Sequence, residues 1–233
     1  MKKISVITPV YNQVSIIPSN VPKIISAMDS CGHPYEILLI NDGSTDGSDI
    51  ALQAFNHPFV KIIEKKNQGL GSVLKLGFSQ MDGDLLIIID LDLSYDIQNI
   101  SRIIDLSTSW DCVVCSKYAR LNNYPLHRKM LSFLHHWFCT LLFEIPVRDM
   151  GSGIVMLHSK FVRNQPFISN GFGIHCEFFL TLHRQQASIL EIPVLYTHFP
   201  GSYRLIYHSL QTIKELGAIV QKYYPLFLIS YIS

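Results

Sequence analysis

The sequence predicts an α/β fold, a mostly parallel central sheet flanked by helices. Three observations predict it: short apolar runs alternate with helical periodicity through the first half of the chain, the runs are apolar at successive positions, and polar or acidic residues follow several of them directly. Such alternation is the pattern of parallel strands joined by crossover helices, and strands apolar on both faces are covered on both faces. Ligands of sheets of this kind bind where the strands end, at their carboxyl edge.

In chain order, the strands of the first half are expected at Ile4 to Val10, Glu36 to Ile40, Val60 to Ile63, Leu85 to Ile89 and Cys112 to Cys115. Helices fit between them near Val21 to Met28, Asp49 to Phe55, Leu70 to Met81 and Ile97 to Leu106. After Tyr118 the pattern is less regular. A long apolar helix is expected from Arg128 to Phe143, a short strand near Ile154 to Leu157, a helix near Cys176 to Arg184, a strand at Ile189 to Tyr196 and a final helix from about Leu205 to Gln221. No internal repeat, low-complexity tract or long linker divides the chain, so residues 1–233 are expected to form a single domain.

Composition agrees with a large covered core. Of 233 residues, 48% are apolar and 16% charged, which excludes disorder. Lys plus Arg number 19 against 18 Asp plus Glu, a balance that excludes a strongly basic nucleic-acid binder. Cys31, Cys112, Cys115, Cys139 and Cys176 are odd in number and scattered, as expected for reduced thiols of a cytoplasmic protein. Lys2 and Lys3 lead straight into a strand, with no export signal. No run reaches the roughly 18 apolar residues that span a bilayer. Met130 to Phe143, interrupted by His135 and His136, and Tyr223 to Ser233 have the length to lie on a membrane but not to cross it. Charge is segregated: residues 1–116 hold 8 basic and 13 acidic side chains (net −5), and residues 117–163 hold 7 and 2 (net +5). The first half therefore suits a cation and the middle suits phosphates or an anionic lipid surface, unless both are merely solvated faces.

Leu85 to Ile89 runs into Asp90-Leu91-Asp92. Carboxylates are not tolerated unpaired in a core, so Asp90 and Asp92 are expected at the strand's carboxyl end, on one side of the extended chain. Two carboxylates sharing a site repel unless a cation neutralises them, and Mg²⁺ or Mn²⁺ suits oxygen ligands. A polar strand end capping the next helix is the alternative, a task Asp96 fits by itself. Glu36 to Ile40 leads similarly into Asn41 to Gly47, where Asp42 is placed to read a nucleotide and Asp46 to cap the next helix. Thr8 to Gln13 ends the first strand in a rigid polar turn. Gly69-Leu70-Gly71 superficially resembles a dinucleotide fingerprint, but Leu74 holds the third glycine position and the first strand–helix turn has no glycine. Cys112 and Cys115, at i and i+3 of a strand, face opposite ways and are not expected to form a zinc or redox pair.

Taken together, these residues resemble family 2 glycosyltransferases of the GT-A (Rossmann-like) fold, and most closely the polyprenyl-phosphate, dolichyl-phosphate mannose synthase-like branch. The resemblance rests on the ordered motifs Pro9 to Asn12, Asn41 to Gly47, Gly83-Asp84, Asp90 to Ser94, Asp149 to Gly153 and Glu191 to Val194. It implies a nucleotide- and metal-binding half at 1–116 and an acceptor-binding half at 117–233. Pro9, Tyr11, Asn12, Asp42, Gly69, Asp90, Ser152 and His198 would bind the nucleotide sugar. Asp90 and Asp92 would hold the metal, and Asp92, Asp149, Glu177 and Arg204 would be catalytic. The chain departs from the family pattern at Gln13, where Glu is usual, at Asn41, often Asp, and at His198, usually Arg, which leaves Arg204 to meet phosphate. The implied activity is transfer of a hexose, with inversion, from a nucleoside-diphosphate sugar to a polyprenyl phosphate at the cytoplasmic membrane face. The protein would attach there peripherally through the helix from Arg128, unless that helix is simply buried. A phosphate acceptor needs no strong base, whereas a saccharide hydroxyl acceptor would require Asp149 or Glu177. A sugar-phosphate nucleotidyltransferase and an inactive membrane-binding scaffold are the alternatives of other classes.

Overall fold

The computed structural model describes residues 1–118, 126–197 and 205–224; within the helices beginning at 126 and 205, side chains are described at Met130, Phe133, His136, Trp137, from Cys139 to Phe143, and from Gln211 onward. Seven strands, β1 (Ile4–Val10), β2 (Tyr35–Asp42), β3 (Val60–Lys65), β4 (Leu85–Ile89), β5 (Cys112–Ser116), β6 (Ile154–His158) and β7 (Ile189–Pro193), form one sheet in the order β3-β2-β1-β4-β6-β5-β7. Pairing is parallel throughout except for β6, which runs antiparallel to both β4 and β5. The carboxyl ends of β1, β2, β4, β5 and β7 and the amino end of β6 therefore share one edge.

The helices are α1 (Ile17–Asp29), α2 (Ser48–Gln53), α3 (Leu70–Gln80), α4 (Ile100–Leu106, preceded by a 3₁₀ turn at Ile97–Asn99), α5 (Leu126–Phe143), α6 (Gly173–Arg184) and α7 (Leu205–Tyr223). Alternate strand residues feed two separate cores. Val6, Ile37, Ile87 and Cys115 meet Val21 and Ile24 of α1 and Ile103 of α4, whereas Ile7, Leu38, Ile88 and Cys112 meet α3, α5, α6 and α7. Cys112 and Cys115 thus do lie on opposite faces, and none of the five cysteines is in a disulfide. Burial on both faces is what the continuous apolar runs dictate.

Boundaries shift where local chemistry intervenes. α1 starts four residues before the expected Val21, because Pro18 stands in its first turn, where no backbone N–H is required. The last strand stops at Pro193 rather than Tyr196; the chain then turns so that Tyr196 bridges Tyr95 beyond the end of β4. α6 begins at Gly173, three residues early. No helix among the described residues is long and apolar enough to cross a membrane.

Candidate active site

The turn after β1 and the loop after β2 are laced into one unit. Asn12, at φ 52°, donates its backbone N–H to Ser44 Oγ (2.9 Å) and accepts from Thr45 N at 2.8 Å. Gln13 N donates to Ser48 Oγ and Val14 N to Asp46 Oδ2. Asn41 accepts from Ser44 N and Oγ and donates to Glu64. Asp46 also accepts from the N–H and hydroxyl of Ser48, the first residue of α2, but the cap position itself is held by Gly47 in the left-handed region rather than by Asp46 as expected; against its modest burial, these bonds hold the Asp46 carboxyl below the usual range. Tyr11 is left half exposed at the rim.

Asp42 is buried and turns toward the next loop, accepting from Lys65 Nζ, Gln68 N (3.0 Å) and Gly69 N (2.8 Å). Gly69 sits at φ 96°, and a Cβ on it would lie 2.7 Å from the Asn170 carbonyl oxygen, so the position admits no side chain. Pro9, Tyr11, Asn12, Asp42 and Gly69 are thereby brought to one end of the sheet, along the carboxyl ends of β1 and β2.

Beside them, Asp90 follows β4 and donates its backbone N–H to the Gly153 carbonyl (2.8 Å). A Cβ on Gly153 would come 2.9 Å from Asp90 Oδ2, so the glycine of the Asp149 to Gly153 turn makes room for that carboxylate. Asp92 accepts from Ser94 N at 2.9 Å around Leu93, whose φ is 50°. Asp96 accepts from Gln98 N, the helix-capping role expected of it. Burial, then the charge of Asp92, pushes the Asp90 carboxyl up to about 7, with Lys117 opposing and Asp149 adding to the effect. Among the described residues no group of three or more Asp, Glu, His or Cys gathers as a metal site. The chain turns at Leu91 and Asp92, with Leu93 N donating to the Asp90 carbonyl, rather than staying extended as expected; two carboxylates close enough for one to raise the other still fit Mg²⁺ or Mn²⁺, ions that commonly take one or two carboxylates and complete their shell with substrate phosphates.

Asp149 is fully buried behind this pair. It accepts from Lys117 Nζ (2.5 Å), Lys117 N (2.8 Å) and Tyr95 Oη (2.8 Å), and its own N–H donates to Glu191 Oε1 (2.9 Å). Lys117, itself buried, and Tyr95 were not among the expected site residues; the available signal was that Lys117 follows β5 as Asp90 follows β4. Ser152 is buried, with Oγ 2.5 Å from the Cys115 carbonyl and 2.9 Å from that of Ile154, so its hydroxyl links β5 to β6. Glu177 belongs to a different neighbourhood, the contact of α6 with α7. Its carboxylate accepts from Ile168 N, Ser169 N, Lys222 Nζ and Tyr223 Oη. His198 and Arg204 lie outside the described residues.

Comparisons with known proteins bear on the family and the fold. The family model described as "Glycosyl transferase family 2" matches residues 5–171, more than two thirds of the chain. Glucosyl-3-phosphoglycerate synthase from Mycobacterium tuberculosis, solved with Mn²⁺, UDP and glucosyl-3-phosphoglycerate, superposes with a TM-score of 0.75 at 18% identity, covering 94% of this chain and 80% of that one. The same enzyme with phosphoglyceric acid gives 0.76 at 16% identity, covering 94% and 79%. With Mn²⁺, UDP-glucose and phosphoglyceric acid it gives 0.74 at 15%, again over 94% and 79%. At these identities the likeness establishes the fold.

Proposed function

The chain belongs to glycosyl transferase family 2, and from that premise we propose that it transfers a hexose, with inversion, from a nucleoside-diphosphate sugar to a polyprenyl phosphate. The donor's nucleotide would lie along the laced turns at Pro9, Tyr11, Asn12, Asp42 and Gly69. Asp90 and Asp92 would hold Mg²⁺ or Mn²⁺, which when bound neutralises charge on the departing diphosphate. His198 and Arg204 would face the phosphates from the segment before α7.

The observation that carries the lipid acceptor is the outer face of α5. Met130, Phe133, Trp137 and Leu141 are 61%, 64%, 56% and 65% exposed. At 100° per residue they fall within a stripe about 80° wide. Cys139 and Phe143, on the opposite side, are in the core. α5 ends six residues before Asp149, and its His136 is bonded to the carbonyl of Val147, two residues before Asp149, at 3.0 Å. An apolar helix face fixed beside a carboxyl-edge site suits an acceptor presented from a membrane.

The phosphate end of the acceptor has separate support. A phosphate monoester is already anionic near neutral pH, its second pKa being about 6, and needs no strong base. Both candidate bases are otherwise engaged: Asp149 by Lys117 and Tyr95, Glu177 by Lys222, Tyr223 and two backbone N–H groups. Assay of UDP-, GDP- and dTDP-hexoses with Mn²⁺, against a short-chain polyprenyl phosphate or phosphoglycerate, tests the proposal. A glycolipid product supports it. Transfer to phosphoglycerate, the compound bound in the solved glucosyl-3-phosphoglycerate synthase, with none to the lipid, overturns the acceptor assignment.

A further inference from the structure

The carboxylate of Glu215, on α7, is aimed at the backbone of the segment before α6. It accepts from Asn170 N (3.1 Å), Gly171 N (2.6 Å) and Gly173 N (2.8 Å). One side chain thus satisfies three amides, including that of the first residue of α6, with the charge sign that a helix amino end favours. The segment it holds is seated on α3. The Asn170 carbonyl accepts from Ser72 N at 3.1 Å and its side chain from Lys75 Nζ at 2.6 Å. A Cβ on Gly71 would come 2.5 Å from the Ser169 carbonyl oxygen, so the two backbones touch without a side chain between them. The turn opening α3 in turn supplies the Gln68 and Gly69 amides to Asp42.

We propose that Glu215 is a positioning residue for the donor site: through residues 169–171 it fixes the opening turn of α3, and through Gln68 and Gly69 it fixes Asp42. The chain of contacts is continuous, from carboxylate to three amides, from Asn170 to Ser72, and from the α3 turn to Asp42. The assignment of Asp42 to the nucleotide rests on the function proposed above; the mechanical coupling does not.

Glu215→Gln tests both parts. Glutamine keeps the length but replaces one acceptor oxygen with an NH₂ donor facing backbone N–H groups, so the clamp loosens while the fold is kept. Amide exchange at Gln68 and Gly69 should accelerate about tenfold, within the span expected of coupling through packed networks. The KM for the nucleotide sugar should rise by a similar factor, with kcat at saturating donor near that of the unaltered protein. Glu215→Asp, which keeps the charge one methylene short, should fall between the two and serves if the glutamine variant does not fold. Faster exchange confined to 170–173, with Gln68 and Gly69 unchanged within twofold, overturns the coupling. If the unaltered protein binds no nucleoside diphosphate with Mn²⁺, the function proposed above fails, and the exchange measurement still decides the coupling.

Discussion

Asp90 carries the most unfavourable charge of the site. Its carboxyl, raised to about 7, is the reverse of a carboxylate stabilised by folding. Ionising it costs the metal-free protein stability, a cost that begins near the unfolded value of about 4 and is complete once the pH passes the folded value. The ionised form is also the ligand form, so protons compete with the metal. Mn²⁺ affinity is expected to rise on the order of tenfold between pH 5.5 and 7.5, measured by titration calorimetry. A flat profile would remove Asp90 from the metal site. Asp92→Asn deletes the charge that helps raise Asp90, so the midpoint of that profile should move down in pH while Mn²⁺-dependent donor turnover is lost. Because Asp92 lies beyond the end of β4 and is only partly buried, its variant should melt close to the unaltered protein. Turnover by Asp92→Asn in excess chelator would contradict the assignment. The two aspartates were legible in the sequence because five consecutive core residues leave carboxylates nowhere to go but the strand end. Lys117 was not, because a lysine after a strand resembles any surface cation until its partner Asp149, 32 residues on in sequence, is seen against it.

Elements were legible where one face decides them and less so where two faces matter. β1 and β4 coincide with their expected bounds because an unbroken apolar run between polar residues admits one reading. The reversed direction of β6 was not legible, since a strand's direction leaves no mark on its own five residues. For α5 the sequence left membrane contact and burial as alternatives, and the helix has one buried face and one exposed face: Cys139 and Phe143 enter the core while Met130, Phe133, Trp137 and Leu141 remain outside. Periodicity reports an apolar face but not what covers it. The α6–α7 contact was missed because it depends on a charge, Glu177, fully buried against Lys222. Burial alone would raise this carboxyl, but the Ser169 and Ile168 amides and Lys222 outweigh it and hold it below the usual range. The sign is therefore the ordinary one: the contact stabilises fully above about pH 4 and is lost as pH falls through the lowered value. Glu177→Gln is expected to melt several degrees lower at pH 7, and the difference should shrink as pH drops below 4, as thermal melts across pH would show. An equal deficit at all pH values would mean that packing, not charge, is what the variant loses.

Across the whole molecule, acidic and basic residues are sorted along the chain, net −5 over residues 1–116 and net +5 over residues 117–163. In the structure both sets are divided between the two edges of the sheet: Asp42, Asp90 and Asp92 stand at the carboxyl ends of β2 and β4 with Lys117 after β5, whereas Glu36, Asp84 and Asp111 stand at the amino ends of β2, β4 and β5, where Lys160 pairs with Asp111. The expectation of a cation-binding half and an anion-facing middle came from this sorting alone; only the fold shows that the basic stretch contains the helix with the exposed apolar stripe. Two forces of different range would then hold the protein to a membrane. Basic residues near an anionic surface contribute about 1 kcal/mol each, and salt screens them over a Debye length of roughly 8 Å at physiological strength. The four stripe side chains add apolar burial of about 25 cal/mol per Å² removed from water, which salt does not screen. Flotation with anionic liposomes should therefore weaken as salt rises from 0.1 to 1 M yet leave a residual bound fraction. Trp137→Glu places a charge in the stripe at a side chain more than half exposed, so it should abolish the residual fraction while shifting the melting temperature little. Complete release at high salt, with Trp137→Glu behaving like the unaltered protein at low salt, would mean that attachment is electrostatic only and that the stripe faces something other than lipid. Absence from the lipid fraction at every salt concentration would point instead to a water-soluble acceptor for the same carboxyl-edge site.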